Sequence, residues 1–312
     1  MVIITTLDFF LWVRYKYTMK IKKILAPIVI LFLAFVLGNQ SVKARDKVEL
    51  KVQKVAENLH CISNAGGNIA VLQADRKLLL IDAGLPLVAD DVTQTLYGFS
   101  PFPVKMLINT HYHRDHTGGN AVLGKEALIL AHENCRRTLT DGLKPEESPA
   151  GLGIPTETFK TVKEIKWGAE TIRLIHFGPG HTGGDIVVIF NRARVIHTGD
   201  LFFNGIAPYI DVKNGSDTGN WVKTIRCLAK TYPEFTVIPG HGPVADMNTF
   251  LKFADYLEYL RTEVKKAILA GKSRDQAMES VDLTAYAHMM EKGNFMTRKN
   301  NIGWIYDEMT RK

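Results

Sequence analysis

Apolar and polar residues alternate through KVELKVQKVAENLHCIS, residues 47–63, the period of a half-buried strand. NAGGN, residues 64–68, is a glycine-rich turn, after which IAVLQADRKLLLIDAG, residues 69–84, returns as a hairpin. Residues 86–99 predict a helix, and VKMLINT, residues 104–110, predicts a buried strand. GGNAVLGKE and HENCRRTL read as short helices on either side of the strand ALILA. EIKWG, ETIRLIHF, DIVVIF, ARVIHTG and FTVIPG predict five more strands, with a helix over 216–231 between the last two. Apolar residues then recur at helical spacing from Met247 to Ala270, and Gly271 is a fitting stop. Ser273 with Gln276 has the spacing of a capping box, and NIGWIYDEMT, residues 301–310, predicts a final short helix.

Two stretches break this rhythm. DGLKPEESPAGLGIPTETF, residues 141–159, is rich in Pro and Gly and predicts a long loop, functional or mobile. At the other end, MKIKKILAPIVILFLAFVLGNQSVKA, residues 19–44, places three lysines before an apolar run from Ile24 to Leu37, then Val42-Lys43-Ala44. That order is a basic n-region, an h-region and a cleavage site. The run is short of the about 20 apolar residues of a membrane span. The pattern predicts a leader with a start at Met19 and cleavage near Ala44, residues 1–18 being an upstream extension. The expected location is periplasmic or secreted, with membrane contact only through the leader if it stays uncleaved. Residues 45–312 show no repeat or composition break and read as a single domain of mixed strands and helices.

The net charge of +7 narrows the partners little once the leader is set apart. Residues 1–44 carry six basic residues against Asp8, leaving 33 basic and 31 acidic residues in the body. A near-neutral body has no electrostatic footprint for nucleic acid. Cys61, Cys135 and Cys227 are too widely spaced for a zinc knuckle or redox pair; they are expected to be small buried hydrophobes.

The chemistry concentrates at strand ends. LLLID ends at Asp82, MLINT runs into His111, His113, Asp115 and His116, LIHFGPGH ends at His181, RVIHTGD at Asp200 and TVIPGH at His241. Loops at strand ends are where a rigid scaffold carries function. Imidazole and carboxylate suit zinc, with three or four protein ligands and an open position in catalytic sites. Five histidines and two aspartates suffice for two ions, above all if one carboxylate is shared. The other histidines, His60, His132, His176, His197 and His288, are scattered and read as structural.

These elements, namely IDAG, THYHRDHTGGN, PGHTGGD, HTGDLFF and PGHG, occur in the order of the metallo-β-lactamase superfamily, which the chain resembles over most of residues 48–310. It is similar in particular to a branch of exported bacterial hydrolases. The resemblance implies an αββα sandwich of two mixed sheets flanked by helices, with the metals at one edge. By it, His111, His113 and His181 hold one ion, and Asp115, His116 and His241 hold the other. Asp200 bridges them and Asp82 orients the histidine loop. Two Zn2+ are expected, iron or manganese occurring on related sites. Asp115 and Asp82 are the expected catalytic carboxylates.

The implied reaction is hydrolysis of a small-molecule carbonyl substrate (lactone, thioester, ester or β-lactam-type amide) by a hydroxide shared between the ions. One group of true β-lactamases has cysteine at the position of Asp200 and a drug-binding lysine at that of Phe203. A bridging aspartate resembles glyoxalase II-like thioesterases and lactonases instead, which argues for a general dinuclear hydrolase over a true β-lactamase. A metal-binding periplasmic accessory protein is the non-enzymatic alternative. NAGGN, residues 141–159 and residues 204–220 are expected to choose the substrate, and Tyr209 is a candidate donor to its oxyanion.

Overall fold

The computed structural model describes residues 47–141 and 152–311. The leader over residues 1–44, its start and its cleavage site lie outside them, as do residues 142–151 of the long loop. Val48–Lys312 forms one compact unit.

Seven strands make the first sheet: β1 (Lys51–Ala56), β2 (Leu59–Ser63), β3 (Ile69–Ala74), β4 (Lys77–Ile81), β5 (Val104–Ile108), β6 (Leu128–His132) and β7 (Glu157–Phe159), in that spatial order. The first four pair antiparallel and β4 to β7 run parallel. The second sheet has the order β12 (Thr236–Ile238), β11 (Val195–His197), β10 (Val187–Phe190), β9 (Glu170–Ile175), β8 (Val162–Trp167). It is antiparallel except for the β11–β12 pair.

The apolar runs are explained by burial on both faces. In β4, Leu79 and Ile81 face the second sheet while Leu78 and Leu80 face helices. In β10, Val188 and Phe190 face the first sheet while Val187 and Ile189 face helices on the other side. A strand sandwiched this way has no polar face, so its sequence does not alternate. Each such side chain contributes about 1.5–3 kcal/mol of burial.

Val92 and Leu96 of helix Ala89–Phe99, with Leu123, cover the first sheet. Helices Thr218–Thr231, Met247–Leu269, Arg274–Ser280 and Arg298–Thr310 cover the second through Trp221, Phe250, Phe253, Ala277 and Ile305. The result is the expected αββα order of layers. The capping box is formed: Ser273 accepts from the Gln276 backbone and the Gln276 side chain accepts from that of Ser273. Gly271 takes the left-handed conformation at φ 71° that ends the long helix.

Some expectations need correction. The predicted helix at 86–99 is divided into a 3-10 turn, Pro86–Val88, and the helix proper. The long loop closes with strand β7, which pairs with β6. The last helix begins at Arg298, where Thr297 caps it by accepting from the Asn300 backbone. Cys61 and Cys135 are buried as expected but Cys227 is exposed, and all three are free thiols.

Candidate metal centre

The strand ends deliver their residues to one edge of the sandwich. β4 ends at Ile81, and the next residue, Asp82, takes φ 66° and turns its carboxylate beneath the loop that follows β5. The Asp82 backbone donates to Ile108 at 2.8 Å, tying that turn to the parallel neighbour strand. β11 and β12, also parallel, end just before Asp200 and His241. His181 is less direct, since β9 stops at Ile175 and a six-residue loop carries the ring inward.

Two groups of side chains form there: His111, His113, His181 and Asp200, and Asp115, His116 and His241. Within each, the candidate ligand atoms lie within 4.8 Å of one another. All seven residues read from the sequence as ligands are therefore brought together.

The outer ring nitrogens fix which inner nitrogens carry lone pairs. His181 Nδ1 donates to the Tyr209 carbonyl at 2.8 Å, and His116 Nδ1 to Asp82 Oδ2 at 2.8 Å. His113 Nε2 donates to Asp211 Oδ2 at 3.1 Å. Thr110 gives its hydroxyl proton to Asp82 Oδ2 at 2.8 Å, so its oxygen accepts from His111 Nδ1 at 3.1 Å. His111 Nε2 and His181 Nε2 then point lone pairs at His113 Nδ1 across 3.0 and 2.9 Å. Three converging lone pairs repel one another unless a cation lies among them.

The second group shows the same demand. Among the described residues four buried side-chain polar atoms have no hydrogen-bond partner, and two of them are His116 Nε2 and Asp200 Oδ1. They approach to 3.0 Å, yet their alignment makes no hydrogen bond. Asp115 Oδ2 lies 3.2 Å from His241 Nε2 and 3.8 Å from His116 Nε2. Asp200 Oδ2 lies 3.7, 3.4 and 3.4 Å from the Nε2 atoms of His111, His181 and His241, so this one carboxylate touches both groups. Buried polar atoms without partners are rare, and a metal ion is one of the few groups that satisfies them. The donor set fits a metal in both groups.

Electrostatics agree with the geometry in the first group. Burial opposes ionisation of Asp200, but His241, His116 and His111 hold its carboxyl well below the usual range. Burial, aided by His116, pushes His111 well below the ordinary histidine value, and burial takes His181 down to about 3. Both remain neutral imidazoles, the form that binds metal.

Close packing leaves no room at two glycines. A Cβ on Gly240 would collide with Asp200 Oδ1, and one on Gly67 would meet the His116 ring. Phe203 stacks on His241 at 5.1 Å between centroids, so the position of the family's drug-binding lysine is an apolar support for a candidate ligand.

The two expected catalytic carboxylates differ. Asp82 is fully buried and, among the described residues, its carboxylate bonds only to Thr110 and His116, an orienting position. The Asp115 side chain is 30% exposed. Tyr209 is not a free oxyanion donor: its hydroxyl donates to Asp211 Oδ1 at 3.2 Å, and burial pushes it up to about 12. The five remaining histidines stay outside the cluster. His197 accepts from the Gly199 backbone and donates to the Asn68 carbonyl, while His132 stacks on His176 at 3.9 Å.

Sequence reading missed Asp211, Tyr112 and Asn214, which support His113, and the aromatic wall beside it. Tyr209 lies 5.4 Å from the His113 ring and packs against Phe295 and Trp304 at 4.9 and 5.1 Å. The faint signal for Asp211 is that IDVKN has the spacing of an Asp-capped turn, which it forms.

Similarity to known proteins points the same way. The model of the metallo-beta-lactamase superfamily matches residues 64–241, the span that holds every candidate ligand. A metallo-beta-lactamase type 2 from Bacillus sp. (strain 170) is 27% identical over 245 residues, 72% of this chain and 92% of the relative. Among solved structures, a metallo-beta-lactamase from Pontibacter korlensis superposes with TM-score 0.58 at 21% identity, over 67% of this chain and 99% of its own. The stereoselective inverting sec-alkylsulfatase Pisa1 from Pseudomonas sp. does so with TM-score 0.66 at 13% identity, over 84% of this chain and 50% of its own. With its layers, its histidine loop and its two-group site all on that pattern, the chain belongs to the metallo-beta-lactamase superfamily and is a metal-dependent hydrolase.

Proposed function

We propose that the protein is a dinuclear zinc hydrolase of small carbonyl substrates: lactones, thioesters, esters or strained amides. The observation that carries this reading is Asp200, whose two oxygens face the two histidine groups. In this assignment His111, His113 and His181 would hold one ion, Asp115, His116 and His241 would hold the other, and Asp200 would serve both groups. Such a pair of ions, when bound, supplies a water acidified toward pKa ~7 and a polarised carbonyl.

The chain's own groups do the rest. Asp82 keeps His116 in the Nδ1–H form and, through Thr110, steadies His111. Asp115 offers one oxygen to His241 and His116; burial opposes its ionisation, but His116 and His241 hold its carboxyl well below the usual range. Tyr209, Trp304 and Phe295 form an apolar wall beside His113, with Phe295 56% exposed. With Phe203 in the lysine position, this wall favours an apolar flank over a carboxylate on the substrate.

The test is hydrolysis of a thioester, a lactone and a chromogenic β-lactam in parallel, with and without chelator. Chelator-sensitive turnover led by the thioester or lactone is expected. Preference for the β-lactam would make the protein a true β-lactamase, and no turnover with two ions bound would favour the accessory protein. We further propose export through residues 1–44. Mass analysis of the expressed protein should find a chain starting near Arg45, and an intact N-terminus would contradict it.

A further inference from the structure

Asp211 is a buried carboxylate, 0% exposed, on the loop between β11 and helix Thr218–Thr231. Its Oδ2 accepts from His113 Nε2 at 3.1 Å, from the Tyr112 hydroxyl and from Asn214 Nδ2 at 2.9 Å. Its Oδ1 accepts from the Tyr209 hydroxyl at 3.2 Å, Asn214 Nδ2 at 3.0 Å and the Asn214 backbone at 3.3 Å. Among the described residues no lysine or arginine pairs with it; its one ion-pair partner is His113. A buried carboxylate is costly unless it is paired with positive charge. Here the imidazole is the only path to one, and its far nitrogen faces His111 and His181.

The same loop also holds His181. The Tyr209 carbonyl takes the His181 Nδ1 proton, the Asp211 backbone donates to the His181 carbonyl at 3.3 Å, and the Gly183 backbone donates to that of Asn214 at 2.8 Å. One irregular segment thus sets two of the three rings in the first group.

We propose that Asp211 is a positioning residue that holds His113 as its Nε2–H tautomer and thereby sets the affinity of the His111/His113/His181 group for its ion. The proposal rests on the reading that this group binds metal. A carboxylate behind a ligating histidine fixes the ring and strengthens it as a donor, and losing such a partner costs roughly 10–100-fold in metal affinity.

The test uses the full-length chain and zinc, in competition with a chromophoric chelator, together with 15N NMR of the histidine rings in the metal-free protein. Asp211→Asn should weaken one of two ions by roughly 10–100-fold and leave the other within a few-fold. Its His113 resonances should move from the pure Nε2–H pattern toward a mixture. Wild-type affinities for both ions in Asp211→Asn would overturn the proposal. So would equal weakening of both ions, or an Nδ1–H His113 in the wild type. If Asp211→Asn does not fold, Asp211→Glu, which keeps the charge but displaces the carboxylate, should show the same selective loss. Wild-type protein that binds a single ion would defeat the two-ion reading alone, because the His113 tautomer still decides the role of Asp211.

Discussion

Two buried aspartates stand behind the histidines, and they reach their places by different routes. Asp82 directly follows β4, and its position is set by strand pairing, through its backbone bond to Ile108. Asp211 belongs to an irregular loop whose shape depends on bonds to His181, Gly183 and Tyr112 from distant parts of the chain. Asp82 serves His116 and, through Thr110, His111; Asp211 serves His113. The site is therefore braced once by the sheet and once by a loop. The loop brace also carries Tyr209 of the aromatic wall, so in the proposed reading metal affinity and substrate shape meet on one segment.

Asp200 lies between the two braced halves, and breaking it should have the largest effect. Asp200→Ala is expected to lower turnover by at least about 1,000-fold, roughly 4 kcal/mol of barrier, in steady-state assays of the best substrate. Gly240→Ala should mimic it with an intact carboxylate, because the new methyl displaces Asp200. Wild-type turnover in Gly240→Ala would show that the position of Asp200 is not critical.

The sheet brace comes next. Asp82→Ala strands Thr110 N, Thr110 Oγ1 and His116 Nδ1, which now bond to the carboxylate at 2.7, 2.8 and 2.8 Å. Unfolding of the metal-free variant should show a loss of roughly 3–5 kcal/mol, against about 1–3 kcal/mol for Asp211→Asn, which keeps an acceptor. Equal losses would erase the distinction between the two braces.

His197 tests the scaffold beneath both. Burial lowers its pKa to about 4, so the unfolded chain binds the proton first as pH falls. Stability from the neutral ring is fully present above about pH 6.5 and is lost as pH falls toward 4, roughly 3 kcal/mol in all. The thermal midpoint of His197→Gln should fall less steeply between pH 6.5 and 4 than that of the wild type. Parallel curves would contradict this. The smallest effect is expected at the rim: Phe295→Ala should reduce kcat/KM for a phenylacetyl thioester by about 10-fold and for an acetyl thioester hardly at all, the worth of one partly exposed ring contact.

The same contrast explains what the sequence disclosed. Strands buried on both faces leave unbroken apolar runs, and a polar residue ending such a run, as at Asp82, His111, Asp200 and His241, is visible against them. These positions carry the family resemblance as well. Asp211 has no such background: it sits among turn-forming residues, where an aspartate is ordinary, and its importance arises from contacts with the distant residues His181 and His113. Tyr209 is visible as a residue but its partner Asp211 is not, so from sequence its hydroxyl reads as a candidate donor to substrate. Phe295 and Trp304 lie beyond residue 241, where the family match stops, and only the folded chain brings them to His113 through Tyr209.

In the proposed reading, Asp200 joins two ion sites into one hydrolytic centre. Its most direct test is the number of zinc ions bound per chain in wild type and Asp200→Ala, by native mass spectrometry, with thioester or lactone turnover measured on the same samples. Two ions and chelator-sensitive turnover are expected in the wild type, and at most one tightly held ion with turnover lost in the variant. Two tightly bound ions and undiminished turnover in Asp200→Ala would contradict it.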